Sequence, residues 1–328
     1  MKRYKSTINR HQYWYVVEAI YINKGNSYKK SRCLGRDGSP DEVLALKEAQ
    51  FRQDLIELET KKRTEYWKGK VSHPNIYGEN EITKLEQLRA ALYRAKKDAG
   101  QSVNSLLELA FLVDFIYNSN RIEGSKLKKE EVTKLITEND RRGNNEVSNT
   151  LSAKHYLDLH FDFSLKHLET LHRILLAHEP AKHGFRTTQI VVGNDDTLSQ
   201  PDEIKKNLHN LFEWYEKNVT LIYPPELAFL FYYKFERIHP FIDGNGRMGR
   251  LLMNFILKGS KYHPMIVWNK NQQGHYNAFS RAVLDGRIEN FLRFMNEQFE
   301  KTYSIYVEKI GPSLDIEKRL KLLLSPSE

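Results

Sequence analysis

Residues 239–250 read His-Pro-Phe-Ile-Asp-Gly-Asn-Gly-Arg-Met-Gly-Arg, and this dodecamer decides the fold. It combines an imidazole at His239, a carboxylate at Asp243, a glycine-bracketed loop and two guanidinium groups. The apolar run that follows, to Leu257, is typical of a buried helix. A glycine loop that leads into a helix N-terminus presents unpaired N–H groups and the positive end of the helix dipole, and both attract anions. The dodecamer therefore predicts a core helix that begins at a polyphosphate site.

The side chains of the dodecamer each suit one part of phosphate chemistry. The imidazole of His239 can take up a proton near neutral pH. The carboxylate of Asp243 is a hard oxygen ligand of the kind that Mg²⁺ uses together with phosphates. Arg247 and Arg250 are three positions apart, so they lie on one helix face and can grip successive phosphates. The alternative is a plain turn before a core helix, with His239 and Asp243 as ordinary turn residues.

The dodecamer resembles the active-site motif of the Fic family, H-x-F-x-(D/E)-G-N-G-R-x-x-R, at every fixed position. The resemblance implies a protein adenylyltransferase, which moves AMP from ATP to a Tyr, Thr or Ser hydroxyl of a target protein while pyrophosphate leaves. The family's kinase branch, typified by the Doc toxin, carries lysine where this chain has Gly246, so the glycine indicates AMP transfer. The phosphocholine-transferring branch stays open. The resemblance implies catalytic roles for His239, Asn245, Arg247 and Arg250, nucleotide contacts from Gly244, Asn245, Gly246, Arg247, Arg250 and Tyr276, and a Mg²⁺ ligand in Asp243.

Two further segments resemble parts of the same site. Residues 184–193 are similar to the family's flap, a β-hairpin over the active site, and their β-branched run suits an edge strand. Such an edge can pair with a substrate segment and hold the target hydroxyl in line, although a purely structural hairpin is the alternative. Residues 275–282 are similar to the helix that closes the nucleobase pocket, where Tyr276 either stacks on adenine or belongs to the core. The predicted flap residues are Thr188, Gln189, Ile190 and Val191.

Residues 119–124, Ser-Asn-Arg-Ile-Glu-Gly, fit the family's inhibitory pattern, (S/T)-x-x-x-E-(G/N). They close an apolar helix predicted over about 103–124, and Ser119 and Glu123 are four apart on one face. The resemblance implies that Glu123 pairs with Arg250 and withdraws that guanidinium from the γ-phosphate. A purely structural ion pair is the alternative. Some relatives use this glutamate to position water and remove AMP, so de-AMPylation stays open.

The composition of the 328-residue chain indicates a cytoplasmic protein. The single cysteine, Cys33, excludes an intramolecular disulfide and fits a reducing compartment. The sequence contains no run of 18 apolar residues and no signal-peptide core near its start, so neither a membrane span nor secretion is expected.

The first 36 residues carry nine Lys or Arg and one acidic residue. Their alternating pattern predicts a β-hairpin with strands over 14–22 and 27–35. A basic, aromatic-rich hairpin could bind nucleic acid, dock an acidic protein target or pack on the core. A charged helix is predicted to follow from Pro40 to about Lys70, with a solvated or coiled face, before a linker marked by Pro74.

The sequence thus predicts a mainly α protein with a Fic-type helical core and a β-hairpin flap. The predicted parts are an accessory region of basic β-hairpin and helix (1–75), a Fic domain (80–310) that includes the inhibitory helix, and a C-terminal tail (311–328). The predicted helices of the Fic part span 81–98, 103–122, 129–138, 146–160, 165–177, 202–217, 225–238, 246–258, 271–285 and 288–308. The implied partners are ATP, Mg²⁺ and a protein with an acceptor hydroxyl, and a homo-oligomer stays open. The alternative function is a nucleic-acid-binding regulator or toxin–antitoxin component whose Fic core is silenced.

Overall fold

The computed structural model describes residues 1–23, 26–138, 145–192 and 197–310, and over these ranges the chain is mainly α-helical, as predicted. The strands are β1 (Lys2–Ile8), β2 (His11–Asn23) and β3 (Asn26–Arg36). The helices are α1 (Asp41–Trp67), α2 (Glu79–Asp98), α3 (Gln101–Ile122), α4 (Lys129–Thr137), α5 (Asn145–His160), α6 (Leu165–Leu175), α7 (Ile204–Asn218), α8 (Pro224–Ile238), α9 (Asn245–Gly259), α10 (Gln272–Leu284) and α11 (Ile288–Ile310). None of these helices is long and apolar enough to cross a membrane. The predicted tail, 311–328, lies outside the described residues.

Local signals in the sequence set the helix ends, so the helices predicted from residue 81 onward agree with the observed ones to within about two residues at each end. Ser164 is the N-cap of α6, and its hydroxyl accepts a hydrogen bond from the N–H of His167 (3.3 Å). Pro224 opens α8, at a position where the missing N–H has no helical partner to lose. Gly124 follows the end of α3 with φ of 92°, a left-handed conformation that glycine adopts readily.

The N-terminal sheet has three antiparallel strands in the order β1-β2-β3, so the predicted hairpin is present and an additional strand, β1, precedes it. The segment of β1 carries no hydrophobic alternation because its residues are largely exposed. Its register pairs Lys2 with Val17, and Tyr4 stacks on Tyr15 with 5.6 Å between the ring centroids. The inner face of the sheet forms a separate hydrophobic cluster with α1, made of Val16, Ile20, Ile22, Leu34, Leu44, Phe51 and Leu55.

One face of the second half of α1 packs against α2, while Glu57, Lys61 and Glu65 lie on the exposed face that the charge pattern predicts. Glu59 and Arg63 of α1 are only 2% and 3% exposed. Arg63 Nε donates to Oε2 of Glu86 (2.6 Å), and Arg89 Nε donates to the same oxygen (2.7 Å). Burial would raise the pKa of Glu86, but the two guanidinium groups hold it at about 2. The buried charges of α1, Glu59 and Arg63, therefore join it to the helical core through ion pairs.

The centre of the helical core is the antiparallel pair α8–α9, joined by the motif loop. The apolar side chains of α8, including Phe229, Phe231 and Phe235, are fully buried. Close packing of the pair depends on Gly249, because a Cβ atom there would lie 2.6 Å from ring carbons of Tyr232. This packing places the N-terminus of α9 close to the C-terminus of α8. The loop of residues 239–244 that joins them therefore lies at one end of the core.

Candidate active site

The motif loop turns sharply at His239, where α8 ends. His239 adopts a left-handed conformation (φ 48°) and its N–H donates to the carbonyl of Phe235 (3.0 Å). Phe241 then inserts into the core, fully buried, with its ring stacked 3.7 Å from that of His172. The side chain of Asn245 closes the loop, since its Oδ1 accepts from the N–H of Phe241 (3.0 Å) and its Nδ2 donates to the carbonyl of Phe241 (2.8 Å). The loop is therefore rigid before any ligand binds.

Asn245 is only 2% exposed, and its contacts differ from those implied by the resemblance. Both ends of its amide are used by the backbone of Phe241, so the side chain shapes the loop. The first helical hydrogen bond of α9 runs from Met248 N–H to Gly244 O (2.9 Å). The N–H groups of the first turn, including those of Gly246 and Arg247, are therefore not used by the helix and form an anion-binding end.

His172 supports the loop from α6, and the sequence offered no motif that would have identified it. Burial lowers its pKa to about 4, so the ring is neutral at physiological pH. Its Nε2 lies 3.0 Å from the carbonyl oxygen of Asp243, a distance at which the neutral ring donates to that oxygen. Together with the stack on Phe241, this bond holds both halves of the loop.

Asp243 has a partly exposed carboxylate between two cations. Its Oδ2 lies 2.7 Å from Nζ of Lys182, and its Oδ1 lies 3.1 Å from Nη2 of Arg247. Burial acts to raise the pKa of Asp243, but Lys182 and Arg247 hold it below its ordinary value, so the group is ionised. The Nε of Arg247 is buried without a hydrogen-bond partner among the described residues. An ionised carboxylate beside an unsatisfied guanidinium N–H fits a metal-bound polyphosphate.

Glu123, Ser119 and Arg250 meet at the interface of α3 and α9. Nη2 of Arg250 lies 2.7 Å from Oε1 of Glu123 and donates to the carbonyl of Ser119 (3.0 Å), while its Nε donates to the hydroxyl of Ser119 (2.9 Å). Arg250 is 1% exposed, and the side chain of Glu123 is 31% exposed. Burial opposes the charge, but Glu123 raises the pKa of Arg250 above its ordinary value. The sequence-predicted pair of Glu123 with Arg250 is thus present, and Ser119 of the same pattern also binds the guanidinium group.

Glu236 is a buried carboxyl group next to His239 that sequence reasoning missed. Its Oε2 lies 3.6 Å from Nδ1 of His239, and its carbonyl oxygen lies 3.3 Å from the same nitrogen. Burial, reinforced by the charge of Glu123, raises the pKa of Glu236 to about 8. The group is therefore mostly protonated at neutral pH. Its signal in the sequence was an acidic residue in the last turn of a mainly apolar helix.

The predicted flap hairpin is not formed in the described part of its segment. Residues 184–192 contain no regular strand and only an isolated bridge at Val192, while 193–196 lie outside the described residues. The segment is held by the buried guanidinium of Arg186, which donates to the carbonyls of Thr188 (2.9 Å) and His239 (2.8 Å). The hydrogen bonds from the Arg186 side chain hold this segment in place of the strand-to-strand hydrogen bonds that a β-hairpin would form. Gln189 also contacts Arg186 (3.3 Å), Ile190 is half-buried, and Val191 is exposed.

Tyr276 projects from α10 toward the end of α3. Its side chain is 44% exposed, so the alternative of a core tyrosine is wrong. Its hydroxyl donates to the carbonyl of Ile122 (3.1 Å), which is also the acceptor for Gln272. The exposed ring therefore lies beside the residue that precedes Glu123, at the edge of the same site.

The comparisons with known proteins agree with this geometry. Residues 162–257 match the model of the Fic/DOC family. The chain is 27% identical over 299 residues to the Protein adenylyltransferase Fic of Drosophila erecta, covering 87% of this chain and 55% of the relative. It is 29% identical over 256 residues to the protein of the same name from Drosophila grimshawi, covering 74% of this chain and 50% of the relative. The chain spans about half the length of these curated relatives.

Solved structures share the fold. A Fic domain containing signaling protein from Bacteroides thetaiotaomicron superposes with a TM-score of 0.62 at 20% identity, covering 69% of this chain and 96% of the other. A Fic family protein from Desulfovibrio desulfuricans gives 0.58 at 23% identity, covering 75% and 85%. The matched residues include α6, α8, the motif loop and most of α9. Residues 162–257 of this chain are therefore a Fic domain.

Proposed function

We propose that this chain is a protein adenylyltransferase that moves AMP from ATP to a Tyr, Thr or Ser hydroxyl of a target protein. The observation that carries the proposal is the preorganised motif loop, in which His239, the first turn of α9 and Arg247 meet at one helix end. The names of the curated relatives give the reaction class. AMP transfer fits a site made of anion-binding amides, guanidinium groups and one histidine.

His239 acts as the general base. Its Nδ1 faces the carbonyl of Glu236, which favours the tautomer with a proton on Nδ1 and leaves Nε2 to accept one. Nε2 takes the proton of the target hydroxyl as the oxygen forms a bond to the α-phosphorus. The bond from that phosphorus to the bridging oxygen of the pyrophosphate breaks, and pyrophosphate leaves. General base action of this kind contributes about 10²–10⁴-fold.

The chain holds the nucleotide through fixed donors. The N–H groups of Gly246 and Arg247 at the start of α9 bind phosphate oxygens, and the guanidinium groups of Arg247 and Arg250 bind the β- and γ-phosphates. The side chain of Asn245 contributes by shaping the loop. Gly244 gives the loop its left-handed turn (φ 82°), and the ring of Tyr276 stacks on adenine.

Mg²⁺ would be held by Asp243 together with the phosphates, and it would neutralise charge on the leaving pyrophosphate. The donor set fits this ion, since Mg²⁺ is usually bound by one or two carboxylates plus phosphates. In the described residues no group of three or more His, Cys, Asp or Glu side chains that could hold a metal ion occurs. The ammonium group of Lys182 contacts Oδ2 of Asp243 and would have to leave that oxygen for the ion to bind there.

The pair between Glu123 and Arg250 makes the site autoinhibited. While Arg250 is bound by Glu123 and Ser119, it cannot hold the γ-phosphate, so ATP settles in a non-productive pose. The same carboxylate could position water for de-AMPylation. The exposed residues Thr188 and Val191 are placed to pair with an extended segment of the target. We further propose that residues 80–310 act as one Fic unit with 1–75 as its accessory region, and that the protein works in the cytoplasm, where a lone Cys33 stays reduced.

The basic accessory region gives little support to a nucleic-acid function. Arg3 pairs with Glu48, Lys5 with Asp37 (2.8 Å), and both Lys30 and Arg32 with Asp54. Four of the nine basic residues of 1–36 thus pair with three carboxylates on and before α1, which reduces the positive charge available to a nucleic acid. Retention on DNA or RNA columns at low salt, compared between the wild type and a variant lacking 1–36, tests this alternative.

The proposed reaction is tested with labelled ATP and Mg²⁺ on a cell lysate. We expect Glu123→Gly to raise protein labelling by about tenfold or more, within the range of typical coupling energies. His239→Ala in the Glu123→Gly background should abolish labelling and keep ATP binding. Glu138→Gly is the matched control, because Glu138 is the C-cap of α4 as Glu123 is of α3. Labelling that persists without His239 would refute the mechanism, and equal labelling by wild type and Glu123→Gly would refute autoinhibition.

A further inference from the structure

A cavity of about 560 Å³ is lined by α2, α3, α5, α9 and the segment after α9. Its volume is within the range of small-molecule sites. The walls are mainly apolar: α3 contributes Phe111 and Phe115, and α9 contributes Leu251 and Phe255. Leu92 and Tyr93 of α2, Leu157 of α5 and Pro264 complete the apolar surface.

Five lysines and Arg89 line the cavity against two carboxylates, Glu108 and Asp158, so cations outnumber anions there. Lys96 pairs with Glu108 and Lys97 pairs with Glu18. Asp158 accepts from both Lys154 (2.8 Å) and Lys258 (2.7 Å), so two cations share one carboxylate. Lys261 lies 3.4 Å from the centre of the Tyr21 ring, and no carboxylate among the described residues is bonded to it. Lys258 is 55% exposed and free to turn toward a ligand. An apolar chamber beside this surplus of positive charge is complementary to a molecule with an apolar body and an anionic head.

We propose that this cavity binds an amphipathic anion: an acyl chain or ring system that carries one carboxylate or phosphate. The apolar body occupies the space between α3 and α9, and the head is bound by Lys258 and Lys261. Tyr93 forms the outer wall and is 45% exposed. The proposal does not rest on the transfer reaction, because binding can be measured without nucleotide or target.

The position of the cavity gives its occupant influence over the inhibitory pair. The helix α3 carries Ser119 and Glu123 at its end, and α9 carries Arg250 one residue before the cavity-lining Leu251. A ligand wedged between the two helices changes their spacing, and their spacing sets the contact of Glu123 with Arg250. Linkage then requires that the state of the pair alters the affinity for the ligand in return.

Isothermal titration of the full chain with decanoate, below its micellar concentration, tests the site. Decyl phosphate distinguishes a phosphate from a carboxylate head, and decyltrimethylammonium presents the same chain with the opposite charge. We expect saturable binding of at least one anion at one site per chain and binding of the cation at least about tenfold weaker. Absence of saturable binding by both anions, or equal binding of the cation, would overturn the proposal.

Three variants locate the binding. Lys258→Gln combined with Lys261→Gln should weaken binding of the anion by about fivefold or more. Tyr93→Ala should also weaken it, because it removes the outer wall. Lys217→Gln should leave it unchanged, since Lys217 is an exposed lysine paired with Glu213 on α7, away from the cavity. Undiminished binding by the double lysine variant would place the ligand elsewhere and overturn the site.

The coupling to the inhibitory pair has its own measurement. The dissociation constant of the anion is compared between the wild type and Glu123→Gly, in which the pair is absent. We expect a shift of about fivefold or more, as is typical of coupled sites. Equal constants would refute the coupling and leave the binding site standing.

Discussion

A Cβ atom placed on Gly246 would lie 2.2 Å from Oε1 of Glu123. The same atom would lie 3.0 Å from Nη1 of Arg250. The glycine therefore leaves the space in which the carboxylate reaches the guanidinium. A glycine in place of the kinase branch's lysine leaves space at the start of α9, and in the structure Glu123 lies in that space. Gly246 thus leaves space that the carboxylate of Glu123 occupies here and that the triphosphate of ATP would use in the proposed reaction.

Gly246→Ala should break the pair, and its effect on stability should depend on Glu123. In the wild-type background we expect a loss of about 1–3 kcal/mol, because the new methyl group overlaps the carboxylate. In the Glu123→Gly background the overlap is gone, so the higher helix propensity of alanine should make the change neutral or stabilising by about 0.5–1 kcal/mol. Urea denaturation of the wild type, Gly246→Ala, Glu123→Gly and the double variant gives a double-mutant cycle of unfolding free energies. Equal effects in both backgrounds would contradict the contact.

Ser119→Ala should release Arg250 only in part. The variant loses the hydroxyl that accepts from Nε of Arg250 and keeps the carbonyl and the carboxylate. One hydrogen bond to a charged group is worth about 1.5–3 kcal/mol, so basal AMP transfer should rise, but less than in Glu123→Gly. Initial rates of target labelling measure this. Ser105→Ala is the control, because Ser105 is an exposed serine of the same helix that bonds only its own turn. A rise equal to that of Glu123→Gly would show that the carboxylate adds nothing.

Glu236→Gln should change how stability depends on pH. The folded-state pKa of Glu236 is about 8, above its ordinary value near 4.5. Between these two values the folded protein holds a proton that the unfolded chain has released, so this group makes stability fall as pH rises from about 4.5 to 8. Glutamine cannot ionise, so the variant should gain on the wild type by up to a few kcal/mol over that window. Urea midpoints at pH 5, 6.5 and 8 give the comparison, and parallel curves would refute the raised pKa.

Lys182→Gln should lower the Mg²⁺ concentration needed for half-maximal AMP transfer. Nζ of Lys182 lies 2.7 Å from Oδ2 of Asp243, so the lysine competes with the ion for that oxygen. Removing one nearby charge should shift the requirement by about two- to fivefold, and chelation by EDTA should abolish transfer in both proteins. Lys206→Gln on α7 is the control for a general loss of surface charge. An increased Mg²⁺ requirement would mean that Lys182 supports the metal-bound form.

The helices from residue 81 onward could be predicted because their sequences carry local signals: apolar spacing, a cap, a proline or a glycine at the end. The motif residues could be named because the dodecamer is contiguous in the chain. The joint placement of Ser119 and Glu123 could be predicted because a spacing of four puts both side chains on one helix face. The strand β1 escaped prediction because its side chains are exposed on both faces and show no hydrophobic alternation.

The residues that support the motif loop from outside the dodecamer could be identified only in the tertiary structure. His172 and Glu236 owe their shifted pKa values to burial, and burial depends on what packs around a side chain. Arg186 holds the flap segment through carbonyls of residues as distant in sequence as His239. The side chain of Asn245 closes the loop through both backbone groups of Phe241, a contact that the motif alone did not reveal, and its role toward the nucleotide stays a prediction.

The sequence by itself determined the chemistry that the Fic domain is equipped for, because those groups lie within twelve consecutive residues. Only the tertiary structure decided which anion Arg250 contacts. Glu123 lies far from Arg250 along the chain, and their contact exists because α3 packs on α9 beside a glycine small enough to admit a carboxylate.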